Sequence, residues 1–285
     1  MDERPLTDQV VGSFAGAGSE RFRVVLESLV RHLHAFVDDV RLTDDEWHAA
    51  ISFLTRTGQQ CDDRRQEFVL LSDVLGVSMK TVGVNASADP SVTPSTVFGP
   101  FFVAGSPLVE PGGDLAHGAS GRPCWVEGTV RGVAGEPLSA ARVEVWEADA
   151  DGFYDVQLGA DVVGGRGHLF TDEAGGFRFW SVRPAAYPIP TDGPVGELLA
   201  AGGRGSMRPA HIHFMISAPG YRTLTTHVFA AGDDHLRDDA VFGVKAALVA
   251  DFVERAADDP APPGLRAPGP WASVSYDFVL ARTSG

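Results

Sequence analysis

The chain has 285 residues and a formal net charge of −15, with 44% hydrophobic and 21% charged residues. That is an ordinary soluble globular balance, with enough chain for one large domain or two small ones, and so acidic a surface repels phosphate backbones, which excludes nucleic acid as an expected partner. Cys61 and Cys124 form no CxxC and no disulfide framework, the N-terminal MDERPLTDQ lacks the regions of a signal peptide, and no apolar run approaches the ~18 residues that span a bilayer, so a cytoplasmic protein without a membrane partner is expected.

Residues 1–18 read as a polar tail. A helical region over 19–85 follows. Phe22, Leu26, Leu29, Leu33, Phe36, Val37 and Val40 recur at three- and four-residue spacing and share one helix face. Thr43 and Glu46 have the pattern of a capping box, with Trp47, Ile51 and Leu54 continuing the helix behind it. A third helix is expected from about Asp62 to Leu75, closed by Gly76. Residues 86–107, containing SADPSVTPSTVFGPFFVAGSP, are dense in Pro, Gly and Ser and read as an extended linker that contributes to a pocket.

From 108 to 285 the pattern is β. WVEGTV, ARVEVWEA, GFRFWSV, HIHFMIS, TLTTHVF and SVSYDFVL are short alternating runs separated by turn signals such as GEP and DEAGG. The fold class expected is mainly β: an antiparallel β-sandwich carrying the site, preceded by an α-helical segment. The acidic residues read as scattered over solvated faces.

In RPAHIHFMIS, His211, His213 and Met215 share one side of a strand, and Ile212, Phe214 and Ile216 share the other, core-facing side. Two imidazoles about 7 Å apart on one face can converge on a metal. Equally they fit two half-exposed histidines at a sheet edge. Two cysteines so far apart cannot build a zinc–thiolate site. The chain has only four tyrosines. Tyr154 and Tyr187 lie among Gly, Asp and Pro, where a loop can aim a side chain into a cleft. EADADGFYD resembles the start of a calcium loop, but the twelfth position counted from Glu147 is Leu158 and the flanks read as strands, which excludes an EF-hand.

DGFYD, YPIPTDGPVGELL and RPAHIHF, in that order behind helices and a GPF linker, resemble the intradiol ring-cleaving dioxygenases over nearly the whole chain. The resemblance implies one non-haem Fe(III) per subunit, held by Tyr154 and His211 in the equatorial plane and by Tyr187 and His213 axially. It implies that Tyr187 accepts a substrate proton and that Arg208 supplies a fixed positive charge. A ferric ion suits anionic oxygen donors and lowers the pKa of a phenol, ~10 when free. The resemblance further implies a homodimer through the N-terminal helices, with a phospholipid tail between subunits, and an aromatic diol and O2 as substrates. A non-catalytic metal- or lipid-binding sandwich is the distant alternative.

Catechol-cleaving members carry glutamine where this chain has His227, which is taken as a catalytic residue. Histidine there, together with RQEFVLLSDVLGVSM and DDAVFGVK, resembles the hydroxyquinol 1,2-dioxygenase branch, with catechol or chlorocatechol as the alternative substrate. By this resemblance the substrate pocket comprises Leu70, Asp73, Val97, Phe98, Gly99, Pro100, Phe101, Ile189, Pro190, Arg208 and Val241. Asp73 follows Leu70 by three residues, so the two can share a helix face. Its carboxylate would accept a hydrogen bond from the third hydroxyl of hydroxyquinol, which catechol lacks.

Overall fold

The computed structural model describes residues 5–62, 65–159, 162–264 and 269–283. The first four residues of MDERPLTDQ, and Asp63 and Arg64 of the expected third helix, lie outside the described residues. The chain divides into two compact units, 1–56 and 57–285.

The first unit is helical: α1 (Leu6–Ser13), α2 (Glu20–Val40) and most of α3 (Asp44–Gln59). The segment read as a polar tail thus contains α1. Ser19 caps α2 by accepting the Phe22 amide at 3.1 Å. Arg41, in the left-handed region at φ 52°, ends it. The capping box is present, with the Thr43 amide donating to Glu46 at 2.9 Å and the Glu46 amide to Thr43 Oγ1 at 3.3 Å. On α2 no residue is buried, and Phe22, Leu29, Leu33, Phe36 and Val40 stay about half exposed.

The second unit opens with α4 (Glu67–Val74) and α5 (Val77–Asn85). The expected third helix is α4, which starts later, at Glu67, and ends before Gly76 as expected; α5 is a further helix beyond it. Gly76, at φ 71°, lies between them and starts α5 as well as following α4. From Asn85 to Pro123 the chain is extended and laces across the strands that follow it in sequence. The strands are β1 (Pro123–Gly132), β2 (Arg142–Trp146), β3 (Arg166–Phe170), β4 (Gly176–Val182), β5 (Tyr187–Pro188), β6 (Met207–Arg208), β7 (His211–Ser217), β8 (Leu224–Ala230), β9 (Val249–Ala250), β10 (Val253–Arg255), β11 (Trp271–Ser275) and β12 (Phe278–Leu280), with α6 (Asp155–Leu158) and α7 (Pro194–Ala201) between them.

One sheet has the order β10-β11-β1-β12, with β4 also pairing β1, and the other has the order β3-β2-β7-β8-β9. The expected antiparallel sandwich needs a correction: β1 runs parallel to both β11 and β12, and β8 runs parallel to β9. Hairpin neighbours pair antiparallel, as local turns require, whereas β9, β11 and β12 reach their partners by long connections that allow either sense. The core between the sheets is Val126 and Val130, Phe177 and Phe179, Val143 and Val145, Ile212, Phe214 and Ile216, and Phe278. Phe214 meets Phe278 at 4.9 Å between ring centroids. The apolar face of β7 is thus the core face, and the histidine face points away from it.

Not all acids are solvated. Glu67, Asp73, Glu144, Glu147, Asp149, Asp155 and Asp239 are buried. Most are held by partners, such as Arg166 for Asp155 at 2.7 Å and Arg142 for Glu144 at 2.5 Å.

Candidate metal centre

β7 places His211 and His213 on one face, and both are buried. The β5–β6 ribbon sets Tyr187 directly opposite Arg208, three residues before His211 opens β7. Tyr154 comes from the loop before α6, where its amide donates to Gln157 Oε1 at 2.9 Å. Gly152 permits the approach of this loop to the ribbon: its φ is 85°, and a Cβ there would lie 2.7 Å from Tyr187 Cβ.

Four donor atoms converge. Tyr154 and Tyr187 hydroxyls are 3.0 Å apart, Tyr154 Oη is 3.0 Å from His213 Nε2, and the Nε2 atoms of His211 and His213 are 3.2 Å apart. Two ligands about 2.1 Å from one ion, at right angles, lie about 3 Å apart, so these spacings fit neighbouring ligands of a single metal. The His211 Nδ1–H donates to the Pro209 carbonyl at 2.6 Å. That bond fixes the tautomer and turns the Nε2 lone pair toward the cluster, as in metal-ligating histidines.

Burial sets the protonation. It lowers the pKa of His211, His213 and His227 well below the usual imidazole range, with Arg208 and the neighbouring imidazoles adding repulsion. The rings are neutral at pH 7, and those of His211 and His213 can ligate through Nε2. Burial raises Tyr154 and Tyr187, each phenol being fully enclosed. A highly charged cation between them reverses that cost.

Arg208 donates from Nε to Asp239 at 3.1 Å and from Nη1 to His211 Nε2 at 3.1 Å. Burial works against its charge, but Asp239, Tyr187 and Tyr154 hold its pKa above the ordinary arginine range. Asp239 in turn accepts the amides of Val241 and Gly243. His227 faces His213 across the β7–β8 ladder, with ring centroids 4.1 Å apart. The donor atoms of His211, His213 and His227 all lie within 4.8 Å of one another.

Beside this cluster is a cavity of about 470 Å³. Leu70, Pro100, Phe101, Ile189 and Pro190 line it, as do Gly152, Phe153 and Pro188, which lie within two residues of the tyrosines. Phe101 stacks on Tyr154 at 4.5 Å. Val97 and Val241 pack with Leu70 and Ile189 in one apolar cluster behind this wall. Gly99, at φ 76°, lies where a Cβ would come within 3.2 Å of His213 Cε1. Phe98 contacts Phe102 at 4.6 Å and Trp146 at 5.7 Å. Asp73 is buried on α4 outside the cavity lining. Burial raises its pKa, while Ser78 and Arg208 oppose the shift and Asp239 adds to it.

Sequence reasoning missed Trp146, fully buried and stacked flat on His213 at 4.7 Å. Its signal was alternation: it shares the non-core face of β2 with Glu144 and is paired with His213. It also missed Asp239 and Thr96, which hold Arg208 and His227.

Residues 97–282 match a family model described as Dioxygenase, and residues 19–93 one described as Catechol dioxygenase N terminus. Hydroxyquinol 1,2-dioxygenase of Rhodococcus opacus is 55% identical over 281 residues, 98% of this chain and 94% of that protein. The enzyme of the same name from Nocardioides simplex is 53% identical over 279 residues, 98% of this chain and 95% of that one. Among solved structures, hydroxyquinol 1,2-dioxygenase of Pseudomonas putida DLL-E4 superposes with a TM-score of 0.88 at 46% identity, covering 97% of each chain.

Proposed function

The chain belongs to the intradiol ring-cleavage dioxygenases, and from that membership we propose that it cleaves hydroxyquinol (benzene-1,2,4-triol) between its vicinal hydroxyls with O2 to give maleylacetate. The observation that carries the chemistry is the convergence of two phenols and two neutral imidazoles at 3.0–3.2 Å beside a cavity of mixed apolar and polar lining. The choice of triol rests on the 53–55% identity to hydroxyquinol enzymes and on Asp73 and His227.

The metal is Fe(III), one per chain, and Tyr154, Tyr187, His211 and His213 hold it. When bound it supplies the positive charge that deprotonates the phenols and the diol and favours reaction of the ring with O2. The protein does the rest. Tyr187 Oη takes one diol proton. Arg208, fixed by Asp239, holds positive charge where negative charge develops on the ring. Phe101 and the Leu70–Ile189 wall orient the ring and exclude water. Asp73, buried three residues beyond the lining residue Leu70, accepts the third hydroxyl if the substrate reaches past that wall, which the Asp73→Asn comparison decides.

Oxygen uptake with hydroxyquinol and with catechol tests the reading. Asp73→Asn is expected to lower kcat/KM for hydroxyquinol about 10- to 150-fold more than for catechol, the worth of a hydrogen bond to a carboxylate. Equal losses on both substrates would make Asp73 a structural residue.

The chain works in the cytoplasm as a homodimer through its N-terminal helices, with a phospholipid tail between subunits. The half-exposed stripe of α2 supports this. Light scattering is expected to give twice the 30.2 kDa of the chain, with lipid recovered by extraction and mass spectrometry. A monomer at all micromolar concentrations would remove the assembly. Among the described residues no helix is long and apolar enough to cross a membrane.

A further inference from the structure

His227 stands beside His211 and His213, fully buried, with ring centroids 4.8 and 4.1 Å from theirs. By donor count alone it would be a third imidazole ligand. Its Nδ1, however, is 2.7 Å from the hydroxyl of Thr96, itself buried. Thr96 belongs to the extended segment before β1, 131 residues away in sequence. It is pinned against β8 because its amide donates to the Thr225 carbonyl at 2.9 Å. Thr226 Oγ1 and the Lys245 ammonium hold its neighbours through the carbonyls of Pro94 and Ser95, at 2.7 Å each.

Proton accounting decides the direction of the Thr96–His227 bond. A buried hydroxyl carries one proton, and the ring nitrogen within its reach is His227 Nδ1. Either direction leaves one buried proton without an acceptor in the protein, the hydroxyl's if Nδ1 donates and the one on Nε2 if Thr96 donates, but only the second is answered when an oxygen of a bound substrate comes beside Nε2. Thr96 therefore donates and Nδ1 accepts. The remaining proton of the neutral ring sits on Nε2, which is buried and has no partner in the protein. An Nε2–H group cannot ligate a metal. It can donate to an oxygen.

We propose that Thr96 is a positioning residue: it locks His227 into the Nε2–H tautomer, which bars that ring from the metal and makes it a hydrogen-bond donor to an oxygen of the bound aromatic diol. This rests on the ferric reading of the site. It differs from that reading by assigning a role to a residue of the linker and by separating His227 from the ligand set.

The test is Thr96→Val, which removes the hydroxyl and keeps the shape, made in the iron-loaded protein and read by visible absorption and by kinetics. The freed ring can present an Nε2 lone pair to the metal, so the tyrosinate charge-transfer band of the resting protein is expected to shift. Loss of the donor is expected to lower kcat about tenfold, the worth of one hydrogen bond, with KM changing less. Thr96→Ser is expected to restore the band and most of kcat. In a His227→Gln background, Thr96→Val is expected to leave the band where His227→Gln alone puts it. The inference is overturned if Thr96→Val keeps the wild-type band and kcat, or if the band shifts equally in the His227→Gln background. A serine variant with a shifted band and a lowered kcat also overturns it, and this arm stands even where the valine variant does not fold. A colourless, iron-free wild type would instead overturn the ferric reading and this inference with it.

Discussion

Tyr154→Phe is expected to give a folded protein that binds little iron, lacks visible charge-transfer colour and does not turn over. The substitution removes one oxygen from a fully buried ring. That oxygen contacts Tyr187 Oη and His213 Nε2, each at 3.0 Å. Losing those bonds costs folding about 1 kcal/mol, small against the stability of a domain. The ring keeps its stacking on Phe101 and its place in the apolar cluster with Trp146 and Tyr187. The metal, by contrast, loses an anionic donor. Loss of an outer-shell partner typically lowers metal affinity about 10- to 100-fold, and removing a ligand should exceed that. His213→Ala should act alike, with the added cost of a void beneath Trp146. Metal analysis, absorbance and oxygen uptake on the same samples check this. Full iron and full colour in both variants would remove Tyr154 and His213 from the ligand set.

What the sequence made legible followed from short-range periodicity. The two faces of β7 could be read because a strand repeats every second residue, and Phe214 and His213 fall where that rule puts them. The Thr43–Glu46 box was equally local. Tyr154 sits in a loop and Tyr187 on the two-residue strand β5, neither long enough to show a period, and only the surrounding motifs singled them out. Contacts made across the fold left no local trace: Thr96 on His227, Asp239 on Arg208, and Trp146 on His213. The parallel pairing of β11 and β12 with β1 was hidden for the same reason, since alternation does not encode strand direction. Glu147 shows the limit most plainly. Among so many acids it reads as solvated, yet it is fully buried against Ser181 and the Val182 amide. Burial raises its pKa to about 8, so it is mostly neutral at pH 7.

Arg208→Met is expected to lower kcat about 100- to 1,000-fold, the usual worth of a preorganised charge aimed at a developing anion, while KM changes far less. The guanidinium is buried and held by Asp239 through Nε; Nη1 lies 3.1 Å from His211 Nε2, whose lone pair a bound metal would take, and Nη2 has no partner in the protein. A buried donor without an acceptor is costly in the resting protein. It costs less when a negatively charged oxygen forms beside it, which is how binding of the reacting state comes to exceed binding of the substrate. Arg208→Lys keeps a charge but loses the planar fork that bonds Asp239 through Nε while aiming its Nη atoms at the site, and should recover only part of the rate. Methionine also leaves Asp239 buried without its cation, a loss of about 3–5 kcal/mol, tempered by the amides of Val241 and Gly243 that still donate to it. The double variant Arg208→Met, Asp239→Asn separates the two effects. It removes the stranded charge, so thermal stability should return toward that of the wild type while kcat stays low. If kcat recovers with stability, Arg208 acts by holding the fold. If Arg208→Met alone keeps kcat within about tenfold of the wild type, its charge does not serve the reaction.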